Sequence, residues 1–334
     1  MNWLERHWYR ITPLHLLLWP LSLLFALLAG LRCALYRSGV LSSSRLPVPV
    51  IVIGNISVGG TGKTPVTLWL AQQLQSAGWH PAIISRGYNK SRSGQTPSTP
   101  RAVSPHDSAD ITGDEPLLMA QRRICPVWIG RDRAATAQAL LQAHPECNVI
   151  LSDDGLQHYR LQRDVEIAVV DGNRKFGNGL RLPAGPLREP VARLKQVDAI
   201  VVNGAAQIST AAATPVFAMH LEGNQFYNLL NPATTRAAGA FAGQRLHALA
   251  GIGHPQRFFA HLEQMGLSVE PHAFPDHHAY RPEDIRFDAA DAILMTEKDA
   301  VKCAAFASAN CWVLRVDARL APAAAQLIME KIKR

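Results

Sequence analysis

From residue 48 onward the chain alternates short apolar runs with amphipathic stretches, the pattern of βα units around a mostly parallel sheet. The runs Val50 to Ile53, Ala82 to Ser85, Val127 to Ile129, Val149 to Ser152, Val165 to Val170 and Ala199 to Val202 predict strands. Helices are expected between several of them, notably Pro65 to Ala77, ended by Gly78, and Arg133 to Ala143. Residues 89–108 are polar, rich in Pro and Ser and without periodicity, and are expected to form a long loop. A second βα-like series starts near Leu246 with HALAGI. A helix opened by Pro255, the run LSVEPHAF, Ala292 to Met295, WVLRV and a final helix follow. The expected division is an N-terminal hydrophobic helix over 1–37, a P-loop NTPase-like parallel-sheet domain over 38–190 and a smaller α/β domain over 191–334, whose last helix is free to pack back on the first.

Residues 11–31 carry no charged side chain and would span about 32 Å as a helix, enough to cross a bilayer core. Thr12 and Pro13 suit a helix start, whereas Pro20 removes one backbone hydrogen bond midway. No small-x-small cleavage site follows, which argues against a signal peptide. The all-round hydrophobicity, Trp3, Trp8, Trp19 and the flanking arginines favour membrane contact over a buried soluble helix. Arginine sits at both ends, so the positive-inside rule gives no orientation, and whether the segment spans the bilayer or lies in the interface stays open.

Charge and cysteines narrow the picture further. The 334 residues carry a formal charge of +8, and the first 45 hold five arginines against Glu5, half of that excess. The rest of the chain is too weakly basic, and lacks the aromatic-basic segment, for nucleic-acid binding. The five cysteines are scattered without a CxxC pair, which suits a reduced, cytosolic catalytic portion and offers no zinc site.

The strongest motif is VPVIVIGNISVGGTGKT, Val48 to Thr64, an apolar strand that runs through a glycine-rich turn into a helix. Backbone N–H groups over Ser57, Val58, Gly59, Gly60, Thr61 and Gly62 are expected to cradle phosphate oxygens. Lys63 would reach the terminal phosphates, and Thr64 would ligate Mg²⁺. Ser57 stands where the P-loop pattern has its first glycine. NVILSDDG, residues 148–155, reads as an apolar strand ending on Asp153 and Asp154, one for the metal and one facing the reacting phosphate, although paired acids also cap ordinary turns. Asp114 and Glu115 form a second acidic pair ahead of a predicted helix, either complementing its dipole or supplying a base and a metal ligand. FPDHH, residues 274–278, is open between a turn with surface imidazoles and a site.

Together, GNISVGGTGKTP, SRGY, GDEP, GRDR, SDDGLQH, FGNGLRLPAGPLREP and FPDHH resemble, in order, the motifs of the tetraacyldisaccharide 4'-kinase family of lipid A biosynthesis. The resemblance runs from Gly54 to His278. It implies two α/β/α domains with the active site between them. It also implies transfer of the ATP γ-phosphate, with Mg²⁺, to the 4'-hydroxyl of a tetraacylated glucosamine disaccharide 1-phosphate at the cytoplasmic face of the inner membrane. The expected partners are that lipid and the membrane, with no obligate protein partner. By position, Lys63 and Thr64 match the P-loop, Asp114 the catalytic base, His277 its partner, and Asp153 and Asp154 the acidic pair. Of that pair, Asp154 is taken as catalytic and Asp153, with Glu115 and Thr64, as metal-binding. Tyr88, Arg131, Gln157, His158 and Arg188 match further motif positions. Leu156 replaces a common phenylalanine, one apolar residue for another. The competing class is an ATPase switch of the partition or metal-insertion type, whose signature lysine position is here Val58.

Overall fold

The computed structural model describes residues 7–10, 12–87, 99–204 and 213–333. Tyr88 and the first half of the expected loop over 89–108, residues 89–98, lie outside them. The first described helix, α1 (Leu14–Arg37), contains Pro20 and buries only His15 and Ser22. These residues, seven apart and so on one face, fasten the helix to the loop over 178–184. The Ser22 hydroxyl donates to the Arg181 carbonyl at 2.6 Å and accepts from the Ala184 N–H at 3.1 Å. The remaining surface is apolar and exposed, with Leu17, Leu24, Leu27 and Leu31 all more than half accessible.

The alternating pattern yields β1 (Val50–Gly54), α2 (Lys63–Ser76), β2 (Pro81–Ser85), β3 (Arg101–Ala102), α3 (Ala109–Thr112), α4 (Asp114–Gln121), β4 (Val127–Ile129), α5 (Arg133–Ala143), β5 (Val149–Asp153), β6 (Val165–Asp171) and β7 (Ala199–Asn203). Strands β1, β2, β5, β6 and β7 are buried at every position, because helices cover both faces of a parallel sheet. Four strands run one residue beyond their apolar runs, so that Gly54, Asp153, Asp171 and Asn203 sit at strand ends. Helix α2 starts at Lys63, two residues before the expected start at Pro65, because Gly62 occupies the N-cap with φ 96°. A short strand interrupts the expected 89–108 loop: β3 pairs antiparallel with β4.

The second series gives β8 (Val216–Asn228), β9 (Thr235–Ala237), β10 (Leu246–Ala250), α6 (Pro255–Gln264), β11 (Val269–Ala273), β12 (Ala292–Thr296), α7 (Glu297–Cys303), β13 (Cys311–Leu320) and α8 (Pro322–Ile332). All join one sheet ordered β11-β10-β12-β13-β8-β7-β6-β1-β5-β2-β4-β3, with β9 on β8. The long antiparallel pair β8–β13 links its two halves. Packing is continuous across residue 190, where β7 pairs in parallel with β6. Ala325, Ile328 and Ile332 of α8 share the core with Leu70 and Leu74 of α2. Smaller apolar clusters cover the two faces of β10, β12 and β13.

Candidate active site

The turn after β1 is built for backbone display. Gly59 and Gly62 have φ of 105° and 96°. A Cβ on Gly62 would also come within 2.8 Å of the Asn203 Nδ2 and Met219 Cε atoms. Both the left-handed conformation and the close approach therefore require glycine. Asn203 at the end of β7 donates to the Thr61 carbonyl at 3.1 Å, and Asn55 donates to the Gly59 carbonyl at 3.3 Å. The segment LPAGPLREP docks alongside: Ser57 bridges to Leu187, and the Val58 N–H donates to the Pro186 carbonyl at 2.8 Å. A Cβ added at Gly60 would meet no atom within 4 Å, and Thr64 sits in the first turn of α2.

Strand β5 delivers the acidic pair beside this turn. Asp154 holds Lys63 Nζ at 3.5 Å and receives Arg188 Nη1 at 3.1 Å on both oxygens. Burial alone would raise its pKa, but Lys63 and Arg188 outweigh burial and hold the carboxyl below its ordinary range. Asp153 is fully buried and its pKa is pushed up, first by burial and then by the Glu115 charge. Its Oδ1 has no hydrogen-bond partner among the described residues. A buried carboxylate with an open oxygen, acted on by two further acids, Glu115 and Asp154, fits a divalent cation.

Asp114 and Glu115 open α4. His277 Nδ1 lies 3.2 Å from Asp114 Oδ2, although 163 residues separate the two in sequence. Asp154 and His277, at φ 49° and 60°, are two of the five non-glycine residues with positive φ among the described residues. Such conformations cost about 1–3 kcal/mol and concentrate at functional sites. His278, by contrast, turns away to Asp284 at 3.0 Å.

Lys298, which the sequence reading did not select, is the hub of this half of the site. Its Nζ donates to Glu115 Oε1 and to Asp276 Oδ1, each at 3.3 Å, and lies 3.5 Å from His277 Nε2. Burial by itself would lower its pKa, but Glu115, Asp276 and Asp114 outweigh that and raise it above the ordinary lysine range. The available signal was a cation at the C-terminal end of an apolar strand, in TEKDA after Ala292 to Met295. Ligand sites of α/β sheets gather at such strand ends.

The remaining candidates separate. Gln157 reaches the Asn55 carbonyl at 3.3 Å and hydrogen-bonds Glu189. With His158, Arg188, Asp154 and Arg181, it lines a cavity of 1210 Å³ whose opposite wall is Phe25, Leu28 and Ala29 of α1. Arg131 is exposed and does not line that cavity. The buried arginine of the GRDR motif is Arg133, which donates to the Asp153 carbonyl at 2.7 Å and does line it. Arg86 also lines this cavity. The result is an apolar wall facing a basic floor that leads to Asp154.

Comparison with known proteins identifies the family. A family model described as tetraacyldisaccharide-1-P 4'-kinase (LpxK) matches residues 14–333. The chain is 53% identical over 328 residues to a protein named tetraacyldisaccharide 4'-kinase from Azoarcus sp. strain BH72, covering 98% of this chain and 94% of that one. It is 54% identical over 319 residues to the protein of the same name from Aromatoleum aromaticum, covering 95% and 93%. Among solved structures, LpxK from Aquifex aeolicus, crystallised in complex with ATP, superposes with a TM-score of 0.80 at 29% identity over 96% of this chain and 99% of that one. With its P-loop, paired acids and apolar-walled cavity, the chain belongs to the tetraacyldisaccharide-1-P 4'-kinase family.

Proposed function

We propose that the chain transfers the γ-phosphoryl group of ATP to the 4'-hydroxyl of tetraacyldisaccharide 1-phosphate at the cytoplasmic side of the inner membrane, forming the 1,4'-bisphosphate. The observation that carries this reading is the Asp114–His277 pair, assembled from the two halves of the sheet beside a glycine-rich turn. A sugar hydroxyl is a weak nucleophile, and Asp114 is the base that accepts its proton as phosphorus is attacked. Lys298 has only donors to offer. His277 therefore stands between the Lys298 ammonium group at Nε2 and the Asp114 carboxylate at Nδ1. That aims the carboxylate and leaves its other oxygen for the substrate.

Lys63 and the backbone N–H groups of the P-loop hold the ATP phosphates, while Asp154 restrains Lys63 and Arg188. Thr64 and Asp153 are the residues to hold Mg²⁺, with Glu115, whose Oε1 is tied to Lys298, alongside. When bound, the ion neutralises charge on the phosphates. The cavity accounts for the acceptor: acyl chains meet Phe25 and Leu28 on α1, and the basic floor of Arg86, Arg133 and Arg188 suits a phosphorylated disaccharide. The exposed apolar surface of α1 supports a membrane location, where such a lipid would reside.

Asp114→Asn and His277→Gln test the pair. Each is expected to reduce turnover on the lipid by roughly 100-fold or more, with melting temperature and ATP binding retained. Wild-type turnover in a folded variant would remove that residue from the chemistry.

A further inference from the structure

A second cluster of metal-competent side chains lies on the outer edge of the sheet, on strands separated from β1 in the sheet order by β12, β13, β8, β7 and β6. Strand β11 ends the sheet, and its parallel register with β10 pairs His247 with Glu270 and Leu249 with His272. Side chains two apart on a strand share a face, so His247, Glu270 and His272 project together. His247 Nδ1 and His272 Nε2 are 3.0 Å apart, and Glu270 oxygens lie 3.7 Å from the first and 3.9 Å from the second. Ligands about 2.0 Å from a tetrahedral ion stand roughly 3.3 Å from one another, close to these three spacings.

The donors are also held in place. The Phe287 ring stacks on His247 at 4.5 Å and on His272 at 4.1 Å. Pro271 fixes the backbone between the two β11 ligands. Glu270 is 68% exposed, which leaves the open side of the cluster to solvent for a fourth, water ligand. Two facing imidazole nitrogens without an ion satisfy each other only as one donor and one acceptor, whereas a shared cation uses both lone pairs.

We propose that His247, Glu270 and His272 form a binding site for one divalent transition ion of the zinc type, which clamps edge strand β11 to β10. A sheet edge with unpaired backbone groups is the part of this molecule most in need of such a fastening. The site stands apart from the phosphate chemistry and does not depend on it.

The test uses the full chain, purified in detergent and stripped with chelator, with Zn²⁺ or Co²⁺ alone as the probe. One equivalent of Zn²⁺ retained through desalting, a melting temperature raised by several degrees, and visible Co²⁺ absorption of a tetrahedral nitrogen-oxygen site are expected. Glu270→Gln alters an exposed side chain, and His272→Phe keeps an aromatic ring against Phe287, so both variants should fold. Both should lose the stabilisation and the Co²⁺ bands. A wild-type chain that shows neither signal, or signals equally strong in both variants, overturns the assignment.

Discussion

Lys298 illustrates how much of this site depends on one side chain that makes no motif of its own. Its ammonium group faces Glu115, Asp276 and His277, and its charge is what allows three carboxylates, counting Asp114, to crowd around one imidazole. Lys298→Met removes that charge and leaves the acids to repel one another. Turnover is expected to fall by roughly 10-fold or more; unchanged turnover in the folded variant would reduce Lys298 to a structural role. One titration concerns stability. Burial, and then the charge of Arg133, push the His158 pKa down to about 3, with Asp154 opposing. The folded ring therefore stays neutral while the unfolded one takes a proton below about 6.5. Stability should fall as pH drops from 6.5 toward 3, by up to about 1.4 kcal/mol per pH unit from this group. His158→Gln should give a shallower decline of melting temperature between pH 6.5 and 5 than the wild-type chain.

At the scale of elements, α1 is bound along its polar stripe and bare elsewhere. Ser22 fixes it to the loop over 178–184, and Arg37 donates to Gln196 at 2.6 Å near its end. Leu17, Leu24 and Leu31, seven residues apart, form a stripe turned away from His15 and Ser22. At about 1.5–3 kcal/mol for each leucine taken out of water, replacing all three by glutamate should weaken binding to vesicles by at least roughly 100-fold. ATP affinity should stay unchanged, because the P-loop lies on other elements. Equal loss of ATP affinity would contradict an anchoring role for the helix. The parallel strands were legible because each is apolar throughout, as burial on both faces demands. Strand β8 was not legible: most of its thirteen positions are exposed and Gly223 interrupts it, so VFAMHLEGNQFYN has neither an apolar run nor a clean alternation. The P-loop and the acidic pairs could be found because they are contiguous. Arg133 hid behind Arg131 within one motif, and TEKDA reads locally as a helix start, with Thr296 capping Asp299.

On the scale of the whole molecule, the site exists because one sheet carries both halves and ionic contacts hold them face to face. Arg122, at the end of α4, reaches Glu297 and Asp317 at 2.7 Å each, and Arg257 on α6 reaches Asp171 at 2.6 Å. Gly253, after β10, approaches the P-loop so closely that a Cβ there would stand 3.3 Å from the Gly60 nitrogen. These contacts bring His277 to Asp114, while α1 and the basic floor frame the cavity on the opposite flank. Sequence spacing carried none of this, since the partners are separated by up to 195 residues. Together these parts form one lipid kinase. The most direct measurement incubates the purified chain with γ-labelled ATP, Mg²⁺ and tetraacyldisaccharide 1-phosphate in detergent micelles and follows the label. The predicted result is label on the lipid as a 1,4'-bisphosphate, lost when Asp114 is replaced by asparagine. Label released only as inorganic phosphate, at a rate indifferent to the lipid, would contradict it.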